Sequence, residues 1–231
     1  MNNFKFKNPI ITMKNTIFYS AIAATFLFAS CSGGGESKVE EGAEAATATA
    51  EAKNYTIDPQ SSSVEWFAEK VTGKHNGTVA IKSGELKVEN EAISAGNFVM
   101  DMNTITVLDM PADDEYNVKL TGHLKSEDFF NVESAPESSF EVVSVEKIEG
   151  AAEGASNYNV KGNLTIKGIT KAITFPASVS ISGDAVNANA EFEIDRTEWD
   201  IKYGSGKFFQ DIGDKAIYDN FKIKFNITAK A

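Results

Sequence analysis

The residues in this chain with the most distinctive chemistry are few: one cysteine, Cys31, one arginine, Arg196, and two histidines, His75 and His123. A metal site would have to join both histidines to a carboxylate. Nothing in their spacing brings them together and the helical two-histidine motifs are absent, so no metal is expected. His75 lies in "GKHNG", where Gly73, Asn76 and Gly77 are turn formers. His123 lies in "GHLKSEDFF", residues 122–130, and reads as a hydrogen-bonding side chain at a helix C-terminus or a rim. Serines and acids are plentiful, but no nucleophile elbow or comparable signature is present. The adjacent Asp113 and Asp114 read as a solvated helix start. The expectation is a protein that is not an enzyme, with no catalytic residue and no cofactor; turnover at His123 is the outlying alternative.

Arg196 admits two uses. Its planar fork suits a phosphate or carboxylate head group. It also suits a structural pairing, with Asp214 as the candidate acid, and this is favoured because buried arginines ordinarily have protein partners. Gly204, Ser205 and Gly206 loosen the loop that follows, but they lack the Gly-Lys-Ser/Thr order of a phosphate loop.

Cys31 is informative by position. It follows "MKNTIFYSAIAATFLFAS", a basic start, an apolar run and small residues, which is the pattern of a secretory signal and not of a membrane span. "LFASC" resembles the lipobox of bacterial lipoproteins, with Phe28 where leucine is more usual. The expected organisation is a lipoprotein signal peptide over residues 1–30, read from Met13 as well as from Met1, and lipidation at Cys31. The protein is then anchored to a membrane in the bacterial envelope, at the outer membrane facing the periplasm. Residues 31–53 are rich in Gly, Ala and Glu with no aromatic side chain, and are expected to form a flexible acidic tether.

A net charge of −11 with a single arginine excludes a phosphate-binding surface, so no nucleic-acid partner is expected. From Tyr55 onward the hydrophobic period is two. Tyr158, Val160, Gly162, Leu164 and Ile166 share one face. So do Ile173, Phe175, Ala177, Val179 and Ile181; Val186, Ala188, Ala190, Phe192 and Ile194; and Phe221, Ile223, Phe225, Ile227 and Ala229. Such alternation means antiparallel sheet with one buried face. Turn signals fall at Ser83-Gly84, Asn90, Lys167-Gly168 and Ser182-Gly183-Asp184. Several runs reach about ten residues, beyond the usual five or six, which favours a barrel over a sandwich.

The break in this pattern is a short helical insert, about 111–132. Pro111 and the acids after it suit a first turn, with Tyr116, Leu120 and Leu124 on one face and Ser126 capping a second turn that presents Phe129 and Phe130. Arg196, Trp199, Ile201 and Tyr203 continue the inward parity of Ile194. Small inward residues such as Gly162, Ala177, Ala188 and Ala190 leave space for an opposing ring, a tucked helix or a ligand; periodicity does not choose among them.

Taken together, "YTIDPQSSSVEW", "GHLKSEDFF", the "AP" before the Phe140 strand, "GNLTIKGITKAI" and "IDRTEWDIKY" resemble the YceI-like family, the polyisoprenoid-binding periplasmic proteins. The resemblance departs at Ser61, where the family usually carries histidine. It implies an all-β, extended, antiparallel eight-stranded, lipocalin-like barrel over residues 54–231. The implied function is to bind or carry a long apolar lipid, polyisoprenoid, quinone-like or fatty-acyl, in the barrel cavity. The implied lining is Trp66, Phe98, Met100, Met102, Phe129, Phe130, Phe140, Leu164, Ile166, Phe175, Ala190, Phe192, Trp199 and Tyr203, with Arg196 and His123 as head-group candidates. The alternative is a ligand-free packed barrel acting as an envelope stress or adaptor protein.

Overall fold

The computed structural model describes Met1 and residues 37–231; the signal segment and Cys31 lie outside the described residues. The strands are β1 (Lys38–Glu41), β2 (Lys53–Ile57), β3 (Ser63–Lys70), β4 (Gly73–Glu89), β5 (Ala92–Val107), β6 (Glu137–Lys147), β7 (Tyr158–Ile166), β8 (Ile169–Ser182), β9 (Ala185–Asp195) and β10 (Asn220–Lys230). One helix, α1 (Glu115–Lys125), joins β5 to β6.

Strands β4 to β10 pair in sequence order, all antiparallel. β2 and β3 each pair with both β4 and β10, so together they act as one interrupted strand that closes an eight-stranded barrel. Closure removes the free edges that long strands would otherwise present. Tight turns set the register. Asn90 and Glu91 (φ 50° and 62°) link β4 to β5, and Lys167 and Gly168 (φ 53° and 76°) link β7 to β8. Left-handed conformations at both central residues match the right-handed strand twist.

Two expected turns are strand. Ser83-Gly84 lies inside β4 beside a register shift between Ile81 and Ser83, and the "GKHNG" segment forms the first residues of β4. In each place a glycine accommodates a close neighbour rather than a chain reversal. A Cβ on Gly77 would stand 2.6 Å from the Trp66 ring, and one on Gly84 would stand 2.7 Å from the Phe98 side chain.

The insert also differs from expectation. Pro111 accepts a bond from the Asp114 amide in a preceding turn, and α1 begins only after Asp114, whose carboxylate caps the Tyr116 amide at 2.7 Å. Tyr116 is exposed. The buried face carries Leu124 and Asn117, whose amide nitrogen donates to the Val107 and Met110 carbonyls at 3.1 and 3.0 Å. Ser126 terminates α1 instead of starting a new helix: its hydroxyl donates to the His123 carbonyl at 2.7 Å, and turns follow. A carbonyl acceptor one turn back outcompetes the forward capping role.

The described part of the expected tether is not free. β1 pairs with β8 through Lys38–Glu41 opposite Lys171–Thr174, while β8 and β9 pair only over Ser178–Ser182 and Ala185–Asn189. The Ser37 amide and hydroxyl both donate to the Glu193 carbonyl of β9, at 2.9 and 2.7 Å. The segment therefore wedges into the seam where β8 and β9 part. Both amide atoms of Asn163 then clasp Ala43, at 2.9 and 2.6 Å, and the Ala46 amide reaches the Val142 carbonyl. Low hydrophobicity does not prevent ordering when backbone groups find partners along an unpaired seam.

Candidate functional site

Two apolar cavities lie within the barrel. One, of about 70 Å³, is bounded by Trp66 of β3, Met100, Met102 and Ile105 of β5, Leu164 and Ile166 of β7, Phe130 from the insert and Ser138 of β6. The other, of about 40 Å³, is bounded by Phe98, Phe140, Phe175, Ala177, Ala188 and Phe225, among others. Their walls use successive inward positions on shared strands: Met100 against Phe98 on β5, Ser138 against Phe140 on β6, and Ile223 against Phe225 on β10. Residues two apart point the same way along a strand, so the cavities stand end to end along the barrel.

Aromatic rings close the space between them. Phe98 stacks on Phe140 with centroids 5.3 Å apart, Phe140 meets Phe175 at 5.7 Å, and Phe98 meets Phe225 at 6.2 Å. Phe192 stacks on Phe175 at 4.2 Å, behind the second cavity. The space left by Gly162 is filled by the Phe140 ring, whereas Ala177 and Ala188 border the remaining void.

Of the lining expected from sequence, Trp66, Met100, Met102, Phe130, Leu164 and Ile166 bound the first cavity, and Phe98, Phe140 and Phe175 the second. Five others sit elsewhere, Phe192 among them, stacked on Phe175. Phe129 is buried outside both cavities, in edge-to-face contact with His123 at 4.9 Å. Ala190 borders an outer groove with Pro176 and Asn189 where β8 and β9 diverge. Trp199 is fully buried, its indole N–H donating to the Leu164 carbonyl at 3.1 Å, and Tyr203 is 43% exposed. The reason for the last two is local. Arg196–Trp199 form a 3-10 turn, which breaks the strand parity carried over from Ile194. Ile223, on the inward face of the last strand by alternation, also bounds the first cavity, as do Ser138, Val79 and Ile105, which were not singled out from sequence; alternation would have found Ser138, two residues before Phe140.

Neither polar candidate faces a cavity. All five Arg196 N–H donors have protein acceptors. Nε donates to the Tyr218 carbonyl (3.2 Å), Nη1 to those of Ile201 and Tyr203 (both 2.8 Å), and Nη2 to the Ile217 carbonyl (3.2 Å) and Asp219 (3.4 Å). Its acid is Asp219, not Asp214. Burial pushes the guanidinium down, and Asp219 and Asp195 push it back up. With no donor left, Arg196 fastens the loop ahead of β10 and cannot clamp a head group. His123 pairs with Asp128 at 3.1 Å and packs edge-on to Tyr203 at 4.6 Å. His75 pairs with Asp109 at 2.8 Å, and no group of three metal-ligating side chains occurs among the described residues.

An open outer groove of about 810 Å³ holds Glu69, Lys74, His75, Asp195, Lys207 and Asp219. Within it Lys207 pairs with Asp195 and Asp219. Among the described residues no helix is long and apolar enough to cross a membrane.

Comparison with known proteins agrees with this geometry. A UPF0312 protein of Yersinia enterocolitica is 29% identical over 96 residues, which are 42% of this chain and 43% of that relative; the chain thus spans less than half of the curated relatives it matches. Among solved structures, BcnA of Burkholderia cenocepacia has a TM-score of 0.57 at 21% identity, over 75% of this chain and 99% of its own. A polyisoprenoid binding domain from Saccharophagus degradans, implicated in plant cell wall breakdown, has a TM-score of 0.52 at 13% identity, over 77% and 98%. At these identities the likeness is one of fold. The YceI-like domain matches residues 55–229, from β2 to the end of β10, and the chain belongs to that family.

Proposed function

We propose that this protein binds a long apolar lipid, of the polyisoprenoid, quinone-like or fatty-acyl kind, inside the barrel, and that it works in the bacterial envelope as a lipoprotein anchored through Cys31. The observation that carries the reading is the pair of coaxial cavities with almost wholly apolar walls. Membership of the YceI-like family and the fold shared with a polyisoprenoid binding domain support it. Each methylene buried there contributes about 0.8 kcal/mol, so affinity needs few polar contacts.

The cavity volumes define how binding must proceed. Ligand pockets commonly hold about 300–1,000 Å³, whereas these hold about 70 and 40 Å³. A long chain therefore enters by swinging the Phe98, Phe140 and Phe225 rings aside, which merges the cavities into one tunnel. Met100 and Met102 are flexible enough to repack around it. The same small volumes favour the second reading, a packed, ligand-free barrel acting as an adaptor. Native mass spectrometry of residues 37–231, purified without detergent and then extracted with solvent, decides between them. A stoichiometric, extractable adduct is expected; a clean apo mass that persists with added prenyl and acyl lipids would overturn the carrier reading.

A further inference from the structure

Two buried polar atoms among the described residues have no hydrogen-bond partner, the Trp66 indole Nε1 and the Ser138 hydroxyl, and both residues bound the same 70 Å³ cavity. Trp66 is 8% exposed and Ser138 is 4%. Of the other residues around the cavity only Glu65 is polar, its carboxylate paired with Lys224 at 3.7 Å, and the rest are aliphatic, aromatic or thioether side chains. A buried donor without an acceptor is costly, and native interiors rarely keep one without a use. The indole is also held in place, since its ring lies against Gly77 so closely that a Cβ there would stand 2.6 Å from it. Trp66 can only donate, and the Ser138 hydroxyl can donate as well.

We infer that Trp66 and Ser138 form a polar subsite for one carbonyl oxygen of an otherwise apolar ligand. This rests on the cavity being a ligand site, and it names the chemistry the ligand must carry. A pure hydrocarbon would fill the apolar walls and leave both donors unsatisfied; a ketone or ester oxygen offers two lone pairs to them. The test compares farnesylacetone, an isoprenoid methyl ketone, with the hydrocarbon of the same skeleton, by displacement of a bound fluorescent fatty acid. The ketone is expected to bind about tenfold tighter. Ser138→Ala combined with Trp66→Phe should bring the ratio of the two affinities to one. Ser138→Ala alone should raise the apo melting temperature, because it removes an unsatisfied group, while it weakens ketone binding. Equal affinities in the unaltered protein, as a water held by both groups would give, overturn the subsite but not the carrier reading. Failure of both probes to bind overturns both.

A separate observation points to where the barrel sits. Among residues 37–231 the large hydrophobic side chains left exposed gather at one end of the barrel. Val71 lies in the β3–β4 turn, Leu108 follows β5, Val118 is on α1, and Phe208, Phe209 and Tyr218 are in the loop before β10, each about half exposed or more. The opposite end, with Asn90-Glu91, residues 148–157 and Gly183-Asp184, has none among the described residues. Lys202 lies over the Phe208 ring at 5.1 Å, an aromatic and lysine pairing suited to a lipid–water interface. Ser37 is bound to Glu193 at this same end. In the lipoprotein reading the six residue steps from Cys31 span at most about 20 Å, so an anchored chain holds this end at the bilayer.

We infer that the α1 end of the barrel docks on a lipid bilayer surface. Residues 37–231, which contain the whole closed barrel and lack Cys31, should co-float with phosphatidylethanolamine–phosphatidylcholine vesicles. Phe208→Asp with Phe209→Asp should lower that partitioning at least about tenfold without shifting the melting temperature, since both rings are about half exposed. No partitioning, or equal partitioning of the variant, overturns the docking surface. So does a concentration-dependent dimer that the same variant abolishes, which would assign this face to a second copy of the chain.

Discussion

The tip of the Phe140 ring stands 2.1 Å from where a Cβ on Gly162 would be. β6 and β7 thus pair an aromatic side chain with its complementary absence, and the ring that fills the gap is part of the partition between the two cavities. Gly162→Ala should displace Phe140 into Phe98 and Phe175 and cost about 1–3 kcal/mol by overpacking. A urea unfolding midpoint lowered with an unchanged slope would show this; an unaffected midpoint would mean that the ring moves freely.

Ala177 is 1% exposed and borders the 40 Å³ cavity. Ala177→Leu should fill that cavity at a cost of about 1–3 kcal/mol and confine a ligand to the Trp66 side. Lipids retained by the variant and identified by mass are expected to be shorter than those of the unaltered protein. Retention of the same long chains would place the binding path elsewhere.

Because every Arg196 donor is used by the protein, Arg196→Lys leaves several carbonyls of the loop before β10 without partners. A loss of about 3 kcal/mol in unfolding free energy is expected, with lipid retention per folded molecule unchanged. Selective loss of anionic ligands at full stability would instead make Arg196 a head-group residue.

The seam strand has an acid-sensitive lock. Hydrogen bonds from Lys161 and then Lys38 hold the Glu40 carboxyl down at about 2, from an ordinary 4.5. A depressed carboxyl stabilises the folded arrangement fully above pH 4.5, and the contribution is lost as pH falls toward 2. Amide exchange of Lys38–Glu41, corrected for intrinsic rates, should quicken across that window, and Glu40→Gln should show the quick exchange already at neutral pH. Exchange independent of both would leave the backbone pairing with β8 as the whole of the attachment.

Much was legible before the fold was known. Alternation from Tyr158 to Ile166, from Ile173 to Ile181 and from Phe221 to Ala229 specifies half-buried antiparallel strands, because side chains on a strand point alternately to opposite faces. Strand length argued for closure, and Lys167-Gly168 and Gly183-Asp184 marked their reversals through local backbone preference. Local rules misjudged Ser83-Gly84 and "GKHNG", where glycine makes room for a side chain from another strand. They misjudged Tyr203 as well, where a 3-10 turn resets the parity.

What the amino-acid sequence determined by itself was the period, the absence of any thiol after Cys31, the acidic charge and the family. Only the tertiary structure decided that residues 37–53 belong to the barrel, because the groups that bind them, such as Glu193 and Asn163, are more than a hundred residues away in the chain. It also decided that the interior holds two small cavities rather than an open tunnel, and that Trp66 and Ser138 share one of them. Volume and hydrogen-bond satisfaction are properties of side chains meeting across strands, and a one-dimensional pattern contains no such meeting.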